Sequence, residues 1–239
     1  MSWKNIGLTC VHFPEGDLVG KLLAYSSLTP ITIVVSFLTL IFFKRDIHTI
    51  FYFLGILLNE SSNFVLKHVI KESRPPGAAG NHSLYGEYGM PSSHAQFMAF
   101  FATYLTLFLW IRIHSLSSGH MDVIWKAIAT FTAQVMAVIV CVSRVYLIYH
   151  TTSQVMWGAL IGIVTGCCWF IIVQVSNGNE TENFEVMLQY FLTPVFPDIV
   201  CNPIGEFFML RDCTLIPNVL WFEYTSMKSE AKTRLRKIR

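Results

Sequence analysis

The run from Leu22 to Phe43 contains no charged residue and is bounded by Lys21 on one side and Lys44-Arg45 on the other. Wound as an α-helix, a run of this length rises about 33 Å, enough to cross the roughly 30 Å hydrocarbon core of a bilayer. Lipid offers no partner for a backbone amide, so a segment of this kind has to satisfy its own hydrogen bonds as a helix. The rest of the chain has the same character. It is 53% hydrophobic and 13% charged, against about 25% charged in a soluble domain. The sequence therefore predicts an all-α, polytopic membrane bundle.

Spans are expected at about 22–43, 47–67, 94–112, 126–143 and 154–175, within a total of about four to six. The second holds Asn59, Glu60, Ser61, Ser62 and Asn63 in its distal half, so that half has to face protein or water. The fourth looks short, because Ser143-Arg144 interrupts it. Residues 1–175 thus form a membrane-embedded core. Residues 176–239 mix apolar patches with prolines and end in basic residues, and they read as a cytosolic or interfacial segment against the bundle. Gly158, Gly162 and Gly166 recur every fourth residue in the last span, a spacing that lets helices approach closely. Packing within the chain accounts for them more simply than a dimer interface.

A net charge of +2 without a basic domain gives nucleic-acid binding little support. The six cysteines show no paired spacing, which argues against a disulfide framework or a zinc site. Glu15 and Asp17 precede the first apolar run, unlike the basic start of a cleavable signal.

Three polar clusters stand out: Lys67 with Arg74-Pro75, Pro91-Ser92-Ser93-His94, and Ser143-Arg144 with His150. Alternating helix direction places segments 68–93 and 144–153 on one side of the membrane, so all three clusters meet at one face. Basic residues away from the clusters favour the opposite side, led by Lys44-Arg45, which turns the clustered face away from the cytosol. Lys67, Arg74 and Arg144 bring three cations suited to phosphate oxygens. Ser92 and Ser93 open a helix, whose N-terminus attracts anions. His94 beside them suits a general acid, and His150 a nucleophile that forms a phosphohistidine. No carboxylate cluster for a divalent cation is visible in these loops, so the cations would stabilise the charge. Taken singly, each residue has a simpler explanation: a snorkelling cation, a helix start, an interfacial imidazole. Their conjunction on one face decides for phosphoryl chemistry.

The stretches KHVIKESRP (Lys67 to Pro75), PSSH (Pro91 to His94) and SRVYLIYHTTSQ (Ser143 to Gln154) resemble the three ordered motifs of the type 2 phosphatidic acid phosphatase superfamily. Two positions depart from its pattern. Ser93 stands where glycine is usual, and Gln154 where an aspartate orients the nucleophilic histidine. A glutamine accepts an imidazole N–H but brings no charge. Both departures, together with FPEGDLVGKLLAYSSLTP, FKRDIHTI, YGMPSSHAQFM and LIPNVLWFEYT, are similar to the dolichyldiphosphatase branch of that superfamily. The resemblance implies hydrolysis of dolichyl diphosphate to dolichyl phosphate and inorganic phosphate, in a multi-pass protein of the endoplasmic reticulum membrane with a lumenal site, recycling the carrier for protein N-glycosylation. It assigns His150 as nucleophile, His94 as general acid and Gln154 as the residue orienting His150. Lys67, Arg74, Ser92, Ser93 and Arg144 bind the phosphoryl group, with no metal and no cofactor. The substrate lipid and the bilayer are the partners implied. Other readings are a phosphatase of a different lipid phosphate and a non-catalytic lipid-phosphate binder or transporter.

Glu60 lies seven positions before Lys67, where it either tunes that lysine or His150 or forms a buried structural pair. Asn81-His82-Ser83 and Asn179-Glu180-Thr181 match the N-glycosylation sequon, the second on the expected cytosolic side. The basic end Arg236-Lys237-Ile238-Arg239 reads as a retrieval signal, an anionic-lipid contact or a solvated terminus.

Overall fold

A computed structural model of the chain describes residues 3–6, 11–14, 16–76, 88–112, 120–175, 203–210 and 219–238. A two-stranded antiparallel ribbon, β1 (Trp3–Ile6) and β2 (Val11–Pro14), pairs Trp3 with Pro14 and Ile6 with Val11. The helices follow as α1 (Leu18–Ser26), α2 (Thr29–Lys44), α3 (Ile47–Ile70), α4 (Ser93–Leu107), α5 (His120–Tyr146), α6 (Thr152–Val175), α7 (Pro203–Phe208) and α8 (Val219–Ile238). A π-helical turn, Phe108–Arg112, prolongs α4. Both sequons, at Asn81 and Asn179, lie outside the described residues.

Among the described residues, five segments are long and apolar enough to cross a bilayer: Leu18–Lys44, Ile47–Ile70, Ser93–Ile111, Val123–Tyr146 and Thr152–Val173. They are the five the sequence predicts, with shifted ends. The first starts earlier and is broken, because α1 ends at Ser26 and Pro30 opens α2. Ser27 at the break is buried, and its hydroxyl meets that of Ser143 at 3.1 Å. The fourth is longer than expected. Ser143 does not interrupt it, since its hydroxyl donates to the Val140 carbonyl at 2.7 Å and is thereby satisfied within the helix.

Apolar side chains point both inward and outward, as a membrane helix requires. Leu38, Phe42 and Phe43 of α2 are exposed on the lipid side, whereas Phe37 joins Tyr52, Phe100, Tyr104 and Phe170 in an aromatic core. Tyr52 stacks on Tyr104 with ring centroids 4.1 Å apart and donates its hydroxyl to the Phe101 carbonyl at 2.6 Å. The Trp169 indole N–H reaches the Phe51 carbonyl at 2.9 Å, fastening α6 to α3.

α4 is the central helix, and α6 lies directly along it. A Cβ on Gly158 would meet the Ser92 carbonyl at 2.7 Å; one on Gly162 would overlap the Gln96 carbonyl; one on Gly166 would meet that of Phe100 at 3.2 Å. The glycine stripe is therefore an intramolecular seam. The polar half of α3 is also accounted for, with one qualification. Asn59 and Asn63 are buried against α4, while Ser61 is exposed and satisfies its hydroxyl on the Leu57 carbonyl at 2.8 Å. Gln96, fully buried, donates to the Asn59 carbonyl and Oδ1, both at 3.0 Å, and to the Ser62 hydroxyl at 3.1 Å. Its own Oε1 accepts from Asn63 Nδ2 at 2.7 Å.

At the far end of the bundle, Lys44 pairs with Glu223 of α8 at 3.1 Å, and Arg45 donates to the Phe208 carbonyl at 3.4 Å. The N-terminal ribbon lies at the opposite end, where Phe13 packs against Ala24, Leu147 and Tyr149.

Candidate active site

α3 ends one residue short of Lys71, whose left-handed backbone (φ 54) directs its N–H to the Lys67 carbonyl at 3.0 Å. Lys67 thus stands in the last turn of a helix that stops at the bundle's end. The chain then turns across the site, and the Gly89 N–H donates to the Glu72 carbonyl at 2.7 Å, fastening the two ends of this connection. Arg74 sends Nη1 to the Tyr149 carbonyl at 3.3 Å. Arg144 is nearly fully buried with its guanidinium carbon 4.3 Å from the centre of the Tyr149 ring, a cation–π arrangement. One tyrosine therefore receives both guanidinium groups, one on its ring and one on its backbone.

Ser92 is the N-cap of α4, but its side chain makes no capping hydrogen bond, and its buried hydroxyl has no hydrogen-bond partner among the described residues. Its backbone N–H is already committed, donating to the Gln154 carbonyl at 3.2 Å. The Ser92 hydroxyl is therefore the polar group this residue leaves over. His94, the second residue of α4, lies within electrostatic reach of Arg144, His150, Lys67 and Arg74.

His150 is held by its Nδ1. That nitrogen is 2.9 Å from the Gly89 carbonyl and 3.2 Å from Gln154 Oε1. A carbonyl oxygen only accepts, so Nδ1 carries the proton and the lone pair of the neutral ring sits on Nε2. The amide of Gln154 cannot be turned the other way: its Nε2 donates to Glu72 Oε1 at 2.8 Å and to the Ser73 carbonyl at 2.9 Å, while Oε1 also accepts from the Thr151 N–H at 3.3 Å. Reversal would oppose donor to donor and acceptor to acceptor at every one of these positions. Burial, followed by the charges of Arg74, Arg144 and Lys67, pushes the His150 imidazole down to about 3, against the raising effect of the Gln154 hydrogen bond. At neutral pH the ring is uncharged and nucleophilic.

Lys67, Arg74, Ser92, Ser93, His94, Arg144, His150 and Gln154 thus come from three separate stretches of chain to one end of the bundle. Two participants were not singled out from the sequence as part of this arrangement. They are Glu72 and Gly89, which touch Gln154 and His150 respectively. Any side chain at Gly89 would run into the Gln154 amide, 2.8 Å from the position its Cβ would take. Among the described residues no group of three or more His, Cys, Asp or Glu side chains is placed to hold a metal ion.

Beside His94 a cavity of about 290 Å³ opens between α2, α3 and α4. Its walls are Ile31, Val34, Val35 and Phe97, and its polar end is made by Ser93, His94 and Glu60. Glu60 Oε1 is buried there without a hydrogen-bond partner among the described residues, within electrostatic reach of Lys67.

Residues 48–177 match the family model described as the PAP2 superfamily. The chain is 48% identical to mouse Dolichyldiphosphatase 1 over 99% of its own length and 93% of that protein. It is 39% identical to Dictyostelium discoideum Dolichyldiphosphatase 1, covering 95% and 91% respectively, and 31% identical to Arabidopsis thaliana Lipid phosphate phosphatase gamma, covering 96% and 93%. No solved structure matches it.

Proposed function

The chain belongs to the PAP2 superfamily, in its dolichyldiphosphatase branch, and we propose that it hydrolyses dolichyl diphosphate to dolichyl phosphate and inorganic phosphate in the endoplasmic reticulum membrane, serving protein N-glycosylation. The observation that carries the mechanism is the anchoring of His150 through Nδ1, which leaves the Nε2 lone pair available beside three cations. Nε2 attacks the terminal phosphorus, and the bond from that phosphorus to the bridging oxygen breaks. His94 protonates the departing oxygen, then draws the proton from a water that releases phosphate from the phosphohistidine. Lys67, Arg74 and Arg144, with the hydroxyls of Ser92 and Ser93, hold the transferred group and balance its charge.

The leaving group of this reaction is a lipid, and the cavity beside His94 supports that reading. Ser93, His94 and Glu60 supply its polar lining and Ile31, Val34, Val35 and Phe97 its apolar lining, the two characters a lipid phosphate has at head and tail. We place the site on the lumenal side because Lys44-Arg45 mark the opposite end; glycan attachment at Asn81, between the second and third spans, tests that orientation.

Purified protein should release phosphate from dolichyl diphosphate in the presence of EDTA, and His150→Ala should abolish release. Loss of turnover on chelation would overturn the metal-free mechanism. Faster turnover of phosphatidate than of dolichyl diphosphate would move the assignment toward a general lipid phosphate phosphatase, the activity named for the Arabidopsis relative.

A further inference from the structure

We infer that Glu72 is a positioning residue that acts on His150 through the amide of Gln154, supplying at one remove the negative charge that a carboxylate at position 154 would supply directly. The inference rests on His150 as the nucleophile. When Nε2 bonds to phosphorus, Nδ1 keeps its proton, so the phosphorylated ring becomes an imidazolium. That positive charge arises among Lys67, Arg74 and Arg144, which already oppose it. A triad histidine meets the same demand with a carboxylate on Nδ1. Here Nδ1 meets two neutral oxygens, those of Gly89 and Gln154.

The missing charge lies one hydrogen bond further out. Glu72 Oε1 accepts from Gln154 Nε2 at 2.8 Å, and the opposite end of that amide is the oxygen facing His150. A carboxylate bonded to an amide N–H draws positive charge to the nitrogen and increases electron density on the amide oxygen, so consecutive hydrogen bonds strengthen one another. The path Glu72, Gln154, His150 is thus a polarised chain. The Ser73 carbonyl and the Thr151 N–H take the remaining bonding positions of the amide and hold it in this orientation. Glu72 is attached to the same connection that carries Arg74, so one segment brings both a phosphate-binding cation and the counter-charge for the nucleophile.

The test separates charge from anchoring. Glu72→Gln preserves an acceptor for Gln154 Nε2 and removes the charge; Glu72→Ala removes both. In the full-length protein, each should lower kcat for phosphate release about tenfold while leaving KM within about twofold. In a Gln154→Asp background, where a carboxylate meets His150 directly, Glu72→Ala should change kcat by no more than about twofold. An equal loss in both backgrounds, or a Glu72→Gln protein as active as wild type, would overturn the relay.

A second measurement is independent of turnover and of the lipid. The His150 Nδ1–H proton resonance, read at neutral pH in histidine-labelled protein without substrate, should move upfield in Glu72→Gln as the hydrogen bond weakens. If it moves in Gln154→Ala and stays in place in Glu72→Gln, the relay is wrong. This resonance decides the matter where Gln154→Asp is inactive, and also if dolichyl diphosphate proves not to be the substrate. Failure of the phosphate-release assay in wild type would instead count against the proposed reaction.

Discussion

A histidine kept neutral down to about pH 3 makes the folded state acid-sensitive in a calculable way. Unfolded, the His150 side chain has its ordinary value near 6.5; folded, burial and then Arg74, Arg144 and Lys67 hold it at about 3. Between these two values the unfolded chain binds a proton that the folded chain does not, so stability falls as pH drops from about 6.5 toward 3 and is fully present above that window. The full window corresponds to about 5 kcal/mol, of which about 2 kcal/mol is lost between pH 7 and pH 5. His150→Gln keeps a side-chain donor near the Gly89 carbonyl without a titrating group. The unfolding free energy of wild type minus that of the variant, measured for detergent-solubilised protein, should therefore drop by about 2 kcal/mol from pH 7 to pH 5. Saturating inorganic phosphate should shrink that loss, since an anion among the three cations offsets their effect on the ring, and its binding near pH 5 should be accompanied by proton uptake. Parallel pH profiles for wild type and variant would refute the electrostatic reading of the site.

Three other substitutions probe the scaffold and the cavity. Gln96→Leu removes a fully buried amide that joins α3 to α4 by four hydrogen bonds, and should lower unfolding free energy by about 2–3 kcal/mol, at about 1 kcal/mol net per lost bond with partial compensation. Gly162→Val forces a branched side chain onto the Gln96 carbonyl, Ala99 and Phe100, and should cost about 1–3 kcal/mol in the same assay. Val35→Trp fills the cavity beside His94 and should raise KM for dolichyl diphosphate about tenfold while sparing a short-chain diphosphate; Leu38→Trp, outside the lining, should leave both unchanged.

The spans were legible because the bilayer imposes a minimum apolar length, and their ends shifted where tertiary bonds were decisive. Pro30 marks the α1–α2 break locally, but the contact it creates, Ser27 against Ser143 over a hundred residues away, is one no local pattern records. The motif residues were legible because phosphoryl chemistry restricts which side chains can serve. Glu72 and Gly89 were not, because the connection between α3 and α4 follows no helical period and their roles depend on what they touch. A glycine two residues before Pro91 and a glutamate two before Arg74 become informative only when Gln154 is seen between them. The polar face of α3 could be read as buried, but its partner Gln96 was visible only in the packing. Nothing in the short stretches Trp3–Ile6 and Val11–Pro14 distinguished a ribbon from irregular chain, since strands of this length carry too little alternation to register.

The cavity beside His94 is walled in part by Ile31 and Val35, which are more than half exposed on a span-length apolar helix, so it borders the surface that lipid would cover. A substrate arriving from that surface brings its headgroup to the site while its hydrocarbon remains in the membrane, avoiding a transfer cost of about 0.8 kcal/mol for every methylene moved into water. Encounter is then a two-dimensional event. Turnover should follow the mole fraction of substrate in the membrane or micelle rather than its concentration in the whole solution, so adding inert detergent at constant total substrate should slow the reaction. The product is delivered to the same leaflet from which the substrate came.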